Sequence, residues 1–227
     1  NPVVLNGLAD GPHTYRVRAV DSVGNPDASP ASVAWTVDTT PPDTAIASGP
    51  PALDNSASAA FTFTSTETGN TFQRSLDGAA YVAATSPDTV AGLTDGVHVF
   101  RVRAVDLAGN IDPLPAEQTW TVDRTAPDTT LTSGPPAATR STSATFEFTS
   151  EIGATFEGSL DGAAFAAVTT PHSVAGLLDG AHTFLVRAID PAGNPAASPA
   201  AAFWTVDNVA PDTTLTVYIV SGTGSIQ

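Results

Sequence analysis

Across 227 residues the chain carries 23 acidic side chains against eight basic ones, a formal net charge of −15, with 19 Pro, 18 Gly and neither Cys nor Met. Such a surface repels nucleic acid and anionic lipid, and the lack of thiols excludes disulfides, thiolate metal sites and cysteine nucleophiles. All eight cations are Arg, which excludes Lys Schiff bases and Lys–Asn crosslinks, and no apolar run approaches the ~18 residues of a membrane span.

The sequence is periodic. Trp-Thr-Val-Asp begins at Trp35, Trp120 and Trp204, 85 and then 84 residues apart, and Pro-Asp-Thr at Pro42, Pro127 and Pro211 keeps the same phase. Ser-Leu-Asp-Gly-Ala begins at Ser75 and Ser159, and Asp-x-x-Gly-Asn at Asp21, Asp106 and Asp190. A period of this length with its turn residues in step predicts a string of separately cored domains. The predicted division is a partial repeat over 1–40, full repeats over 41–125 and 126–209, and the start of another repeat over 210–227.

In chain order, the head is predicted to hold the last three strands of a repeat, Val3 to Leu5, His13 to Val20 and Ser32 to Asp38. The full repeat then opens with a short strand, Thr44 to Ser48, stopped by Gly49-Pro50-Pro51 because proline cannot donate to a ladder. Ser58 to Thr66 places Phe61 and Phe63 on one face, the period of a half-buried strand. Thr71 to Leu76 and Ala79 to Ala83 flank Asp77-Gly78, a pair that supplies the positive φ angles of a two-residue hairpin turn. Val90 to Leu93 precedes Thr94-Asp95-Gly96. His98 to Val105 then alternates Phe100, Val102 and Ala104 with Arg101 and Arg103, one face dry and one wet. Gln118 to Asp123 closes the repeat with Trp120 and Val122 on a shared face. Seven short strands with turns every 8 to 12 residues predict an all-β chain of antiparallel sandwiches.

These motifs, in phase over nearly the whole chain, resemble the immunoglobulin-like, fibronectin type III-like tandem repeats of large bacterial surface and secreted proteins. The resemblance implies stalks, adhesin shafts and extracellular spacers, with no catalytic activity. Many relatives carry a cysteine pair in the hairpin; the corresponding positions here are Arg74 and Ala84, and Gly158 and Val168. Stability must therefore come from packing or from neighbours.

The expected core residues are Trp35, Trp120, Trp204, Tyr15, Phe100 and Phe184. His13, His98 and His182 recur one residue past an Asp-Gly pair and are read as structural, since no nucleophile accompanies them. His172 has no counterpart. Acids gather at the repeat junctions, Asp38 with Asp43, Asp123 with Asp128 and Asp207 with Asp212, and are weak candidates for an interdomain calcium ion. No other cofactor is implied, and no metalloprotease, nucleophile-elbow, phosphate-loop or dinucleotide-binding motif occurs.

The last segment starts as a normal repeat and then reads Val217-Tyr218-Ile219-Val220, a β-prone, uncharged run that is an aggregation hazard if exposed. These four residues are assembly candidates: either one chain's tail completes the next chain's head by strand addition, giving a filament, or the sequence is a window cut from a longer chain of repeats. The overall expectation is a non-catalytic extracellular or cell-surface structural protein, rod- or filament-forming, whose partners are copies of itself, with another surface protein or a glycan as a further candidate. The alternative is an adhesin stalk or an accessory binding module of a large secreted protein. The sequence begins at Asn1 without a basic, hydrophobic leader, so a secretory signal, if one exists, is expected to lie upstream or to have been removed.

Overall fold

The computed structural model describes residues 2–216; Val217, Tyr218, Ile219 and Val220, named above for assembly, lie outside the described residues. The chain divides into two compact units, Asn1–Thr125 and Ala126–Gln227. The described residues contain strands, turns and irregular segments and no helix.

Unit 1 begins with the head, a two-stranded antiparallel ribbon of β1 (Gly11–Val17) and β2 (Ala31–Val37), with His13 opposite Trp35 and Tyr15 opposite Val33. The first full repeat comes next as β3 (Thr44–Ser48), β4 (Leu53–Asp54), β5 (Ser58–Ser65), β6 (Thr71–Leu76), β7 (Val82–Ala84), β8 (Asp88–Ala91), β9 (Gly96–Val105) and β10 (Ala116–Val122). They form a five-stranded sheet ordered β4-β10-β9-β6-β7 and a three-stranded sheet ordered β3-β5-β8. All pairings are antiparallel except that of β4, which runs parallel to the end of β10 through Leu53 and Asp54.

Strand β4 is an addition to the seven strands expected from sequence, which offers only two residues with no alternation to find. The second arm of the Asp-Gly hairpin is also shorter than expected, Val82–Ala84, because Ala79 closes the turn on the Leu76 carbonyl and Ala80 and Tyr81 are in no strand. The turn itself has the predicted left-handed pair, φ 52° at Asp77 and 77° at Gly78.

Unit 2 repeats the arrangement with β11 (Thr130–Ser133), β12 (Ala138–Thr139), β13 (Ser143–Thr149), β14 (Thr155–Leu160), β15 (Ala166–Val168), β16 (His172–Ala175), β17 (Gly180–Ile189) and β18 (Ala200–Val206). Its sheets are β12-β18-β17-β14-β15 and β11-β13-β16.

Each repeat buries one aromatic stack between its sheets. In the first, Phe61 of β5 lies flat on Phe100 of β9 with centroids 3.9 Å apart and meets Trp120 of β10 edge-on at 5.4 Å. In the second, Phe146, Phe184 and Trp204 repeat the trio at 4.2 and 5.4 Å. Val102, Val122, Val186 and Val206 complete the layer, fully buried. The alternate residues of β9 face water. Arg101 pairs with Glu117 at 2.7 Å, while Arg103 lies over the Tyr81 ring and donates twice to Gln73.

The head differs. Tyr15 and Trp35, expected in a core, are only half-buried, and Val3, Val4, Val17 and Val33 are each more than half exposed. The strand expected at Val3 to Leu5 is absent; its counterpart β8 bonds to β5 only, and the described head has no strand equivalent to β5. Without a ladder partner the segment has no reason to be a strand.

The contrast yields a measurement. Phe100→Ala should destabilise the first repeat by about 3–5 kcal/mol, whereas Tyr15→Ala, at the same repeat position, should cost less than about 1 kcal/mol; chemical denaturation of each variant reads both.

Candidate functional site

Buried polar groups mark where chemistry is possible, and in both repeats they are tied into the same structural contacts. His98 sits at the start of β9, packed against Trp120 with ring centroids 5.5 Å apart. Its Nδ1 is 2.8 Å from Asp77 Oδ2 and its Nε2 2.8 Å from the Thr94 carbonyl. His182 has the same two partners in Asp161 and Leu178, at the same distances. With acceptors on both nitrogens the imidazolium fits best, and the carbonyl of Thr94 or Leu178, then the carboxylate, holds each ring's pKa above the ordinary 6.5. Partial burial works against ionisation of Asp77 and Asp161, yet bonds from the Val99 or Thr183 amide and from the imidazole keep both carboxyls below the ordinary 3.8. His13 of the head keeps the carbonyl contact, Nε2 to Ala9 O at 2.7 Å, and the stacking on its Trp, with centroids 5.8 Å from Trp35.

This arrangement ties the hairpin turn to the loop before β9. Among the described residues no hydroxyl nucleophile or second base is hydrogen-bonded to either imidazole, so the group acts as a clamp.

The recurring Asp-x-x-Gly-Asn loop is likewise built around its first residue. Asp106 Oδ1 accepts from the Gly109 and Asn110 amides and Oδ2 from Asn110 Nδ2. Burial opposes ionisation, but these donors, led by the Asn110 side chain, hold the carboxyl below the ordinary range. Asn110 Nδ2 also donates to the Asp38 carbonyl at 3.0 Å, linking the first repeat to the segment that leads out of the head.

Three carboxylates meet there. Ligand oxygens of Asp38, Glu67 and Asp106 all lie within 4.8 Å of one another. Partial desolvation, then the charges of Asp38 and Asp106, push the Glu67 carboxyl above its ordinary 4.5. These are the described residues able to offer a cation several oxygens, although Asp106 already spends both of its own on amides.

Of the junction acids proposed from sequence, Asp38 stands in this group of three carboxylates. Asp38 Oδ1 accepts from the Thr40 amide, Asp123 Oδ1 from the Thr125 amide and Asp207 Oδ1 from the Val209 amide, each two residues on. Asp43, Asp128 and Asp212 are exposed.

Sequence reasoning missed the acids that organise the junctions. Asp10, Asp95 and Asp179, read as turn residues, each reach about 30 residues along the chain. Asp95 accepts from the Arg124 amide and the Thr125 hydroxyl, Asp10 from Thr39 and Thr40, and Asp179 from Asn208. Their recurrence one period apart was the available signal. Glu67 had the same signal, since Glu151 stands 84 residues on after the same Phe-x-Phe-Thr-Ser run.

A second missed feature is a coupled exchange between the repeats. Arg74 of β6 pairs with Asp88 of β8 at 2.6 Å. One period on, these positions are Gly158 and His172, and the His172 ring lies parallel to Phe184 at 5.4 Å. A Cβ on Gly158 would stand 2.9 Å from the Phe184 ring, so the ring occupies the space where a side chain would be. A buried carboxylate differs too: Asp112 Oδ1 accepts from the Leu114 amide, Oδ2 meets no protein donor, and the second repeat has Ala196 in its place.

Fold and repeat together define the class: the chain is a tandem of immunoglobulin-like, fibronectin type III-like β-sandwiches. Among curated proteins it is 34% identical to Exoglucanase B of Cellulomonas fimi over 83% of this chain, and it spans 20% of that protein's length. Among solved structures it is similar to the fibronectin(III)-like modules of Clostridium thermocellum CbhA, at 14% identity over 77% of this chain and all of that one, with a TM-score of 0.47. It is also similar to a Ca2+-stabilized adhesin with which an Antarctic bacterium binds ice, at 22% identity over 87% of this chain and 57% of that one, with a TM-score of 0.43. No protein-family model matches. No helix among the described residues is long and apolar enough to cross a membrane.

Two measurements test the electrostatics. Because the folded values of His98 and His182 are raised above 6.5, the stability they add is complete below 6.5 and is lost as pH climbs through the raised values. The melting temperature should fall as pH rises above the ordinary 6.5, and His98→Gln with His182→Gln should flatten that fall. For Glu67 the raised carboxyl value means a penalty present above it and absent below the ordinary 4.5. Glu67→Gln should raise the melting temperature of unit 1 at neutral pH in the presence of a chelator and leave it unchanged in acid.

Proposed function

We propose that the chain is a non-catalytic, extracellular structural element, a run of sandwiches that sets the distance between whatever it joins. The observation that carries this reading is the agreement between the repeats: the clamp of His98 with Asp77 returns as His182 with Asp161, and the bonding of Asp106 to Asn110 returns as Asp190 to Asn194. Polar chemistry repeated once per module serves the module. An active site instead requires a constellation that is unique in the chain.

A rod or filament results if successive modules add length. Small-angle scattering on the chain and on a version with one further copy of residues 126–209 should show the maximum dimension rising by roughly 30–40 Å; a compact particle that grows in girth would overturn the reading.

Head-to-tail assembly is the finer form of this reading. The exposed apolar face of the head supports it, as do Ala210 to Thr216, which repeat the opening of a module without being in a strand. Its partner would be another copy of the chain, and a chain ending at Thr216 would then fail to associate at concentrations where the full chain does. No metal is required by this reading, and calcium at the junction acids would act by stiffening.

The second reading, an accessory module of a secreted hydrolase, is favoured by the 34% identity to part of Exoglucanase B. It predicts depletion of the isolated chain from solution by insoluble glucan, an outcome the spacer reading does not produce.

A further inference from the structure

The outer face of the larger sheet changes character between the two full repeats, at three neighbouring positions together. In the first repeat Arg101 of β9 stands opposite Glu117 of β10 as an ion pair, and Thr119 is the next outward residue of β10. One period on, the same places hold Leu185, Ala201 and Phe203. Phe203 is 71% exposed and is the one aromatic ring among the described residues that is more than half exposed. A single apolar side chain on a surface is ordinary. Here two charges are removed and a ring is added at adjoining positions of a flat, solvent-facing sheet.

The charge that remains beside the patch is already matched. Arg187, the next outward residue of β17, pairs with Glu157 at 2.7 Å and lies over the Phe165 ring at 4.4 Å. The face is therefore neutral on a chain of net charge −15, which disfavours polyanions and other acidic chains as partners. Size disfavours a second copy as well. A stable protein interface takes about 800 Å² from each partner, whereas a Phe side chain buries about 150–250 Å². The occupant that fits is neutral and built of units no larger than the ring itself. A β-linked glucopyranose has this form, with flat faces of C–H groups and hydroxyls around its edge. Thr183, directly opposite Phe203, and Thr205, two residues along β18, set hydroxyls beside the ring to meet that edge.

We propose that Phe203, bordered by Leu185 and Ala201 and flanked by Thr183 and Thr205, is a stacking site for a neutral β-linked glucan. This inference rests on the accessory-module reading and names the surface that would carry it. One ring holds one sugar weakly, so retention comes from the many equivalent sugars of a polymer surface. The corresponding face of the first repeat, with Arg101, Glu117 and Thr119, has no such site.

The test is adsorption of the full chain to microcrystalline cellulose. Phe203→Thr should lower the partition coefficient at least about threefold with the melting temperature unchanged, since the ring packs into no core. Phe203→Trp should retain adsorption and Phe203→Leu should not, which separates stacking from general apolar adhesion. Arg101→Leu with Glu117→Ala and Thr119→Phe, which copies the patch onto the first repeat, should strengthen adsorption. Salt at about 1 M should leave adsorption intact, because ion pairing is screened there.

If the chain adsorbs and Phe203→Thr adsorbs equally well, the site is wrong while the accessory-module reading stands. If the unaltered chain does not adsorb, both fall. If it does not adsorb but sediments as a concentration-dependent dimer that Phe203→Thr abolishes, the occupant is a second copy and the proposal is overturned.

Discussion

The rest of the structure depends on three rings meeting between two sheets. Phe61 comes from the smaller sheet, Phe100 and Trp120 from neighbouring strands of the larger one, and every long-range feature of the repeat serves to keep those strands at packing distance. A module of this size buries only a modest share of its chain's surface and has no disulfide to narrow the unfolded ensemble, so a few large rings must supply much of the packing. The head makes the dependence visible from the other side. It has the Tyr and Trp of the trio and nothing in the place of Phe61, and the neighbouring segment at Val3 to Asn6 does not become a strand.

Much of the fold was legible because alternation is an unusually direct signal when one sheet face is dry and the other wet. Phe100, Val102 and Ala104 against Arg101 and Arg103 leave one possible orientation for β9, and Asp77-Gly78 leaves one turn. The signal weakened where strands are too short to alternate, as at β4, and where a ladder partner is what makes a strand, as at Val3. Neither depends on the local sequence. The same limit applied to the side-chain chemistry. Asp77 and His98 are 21 residues apart and could be read only as separate turn and strand residues, while the bond between them is a product of the β6–β9 pairing.

The exchange of Arg74 and Asp88 for Gly158 and His172 shows how two copies of one fold reach the same end with different chemistry. The first uses an ion pair between the two sheets. The second removes the side chain from β14, lets the Phe184 ring fill the gap and lays an imidazole over that ring. From sequence, His172 was a residue without a counterpart and Gly158 a position where many relatives carry a cysteine. They are two halves of one substitution, tolerated because shape is conserved across it.

The acids that open each long strand fasten the sandwich to the start of the segment downstream. Asp95 stands just before β9, while Arg124 and Thr125, the residues it holds, come directly after β10. A pull applied at Thr125 therefore divides between the ladder of β10 and the corner where β9 begins, so β10 cannot unzip from its end one bond at a time until that corner has let go. The result is a latch at the module's exit, with resistance to peeling set by a carboxylate, a hydroxyl and an amide instead of by the size of the core.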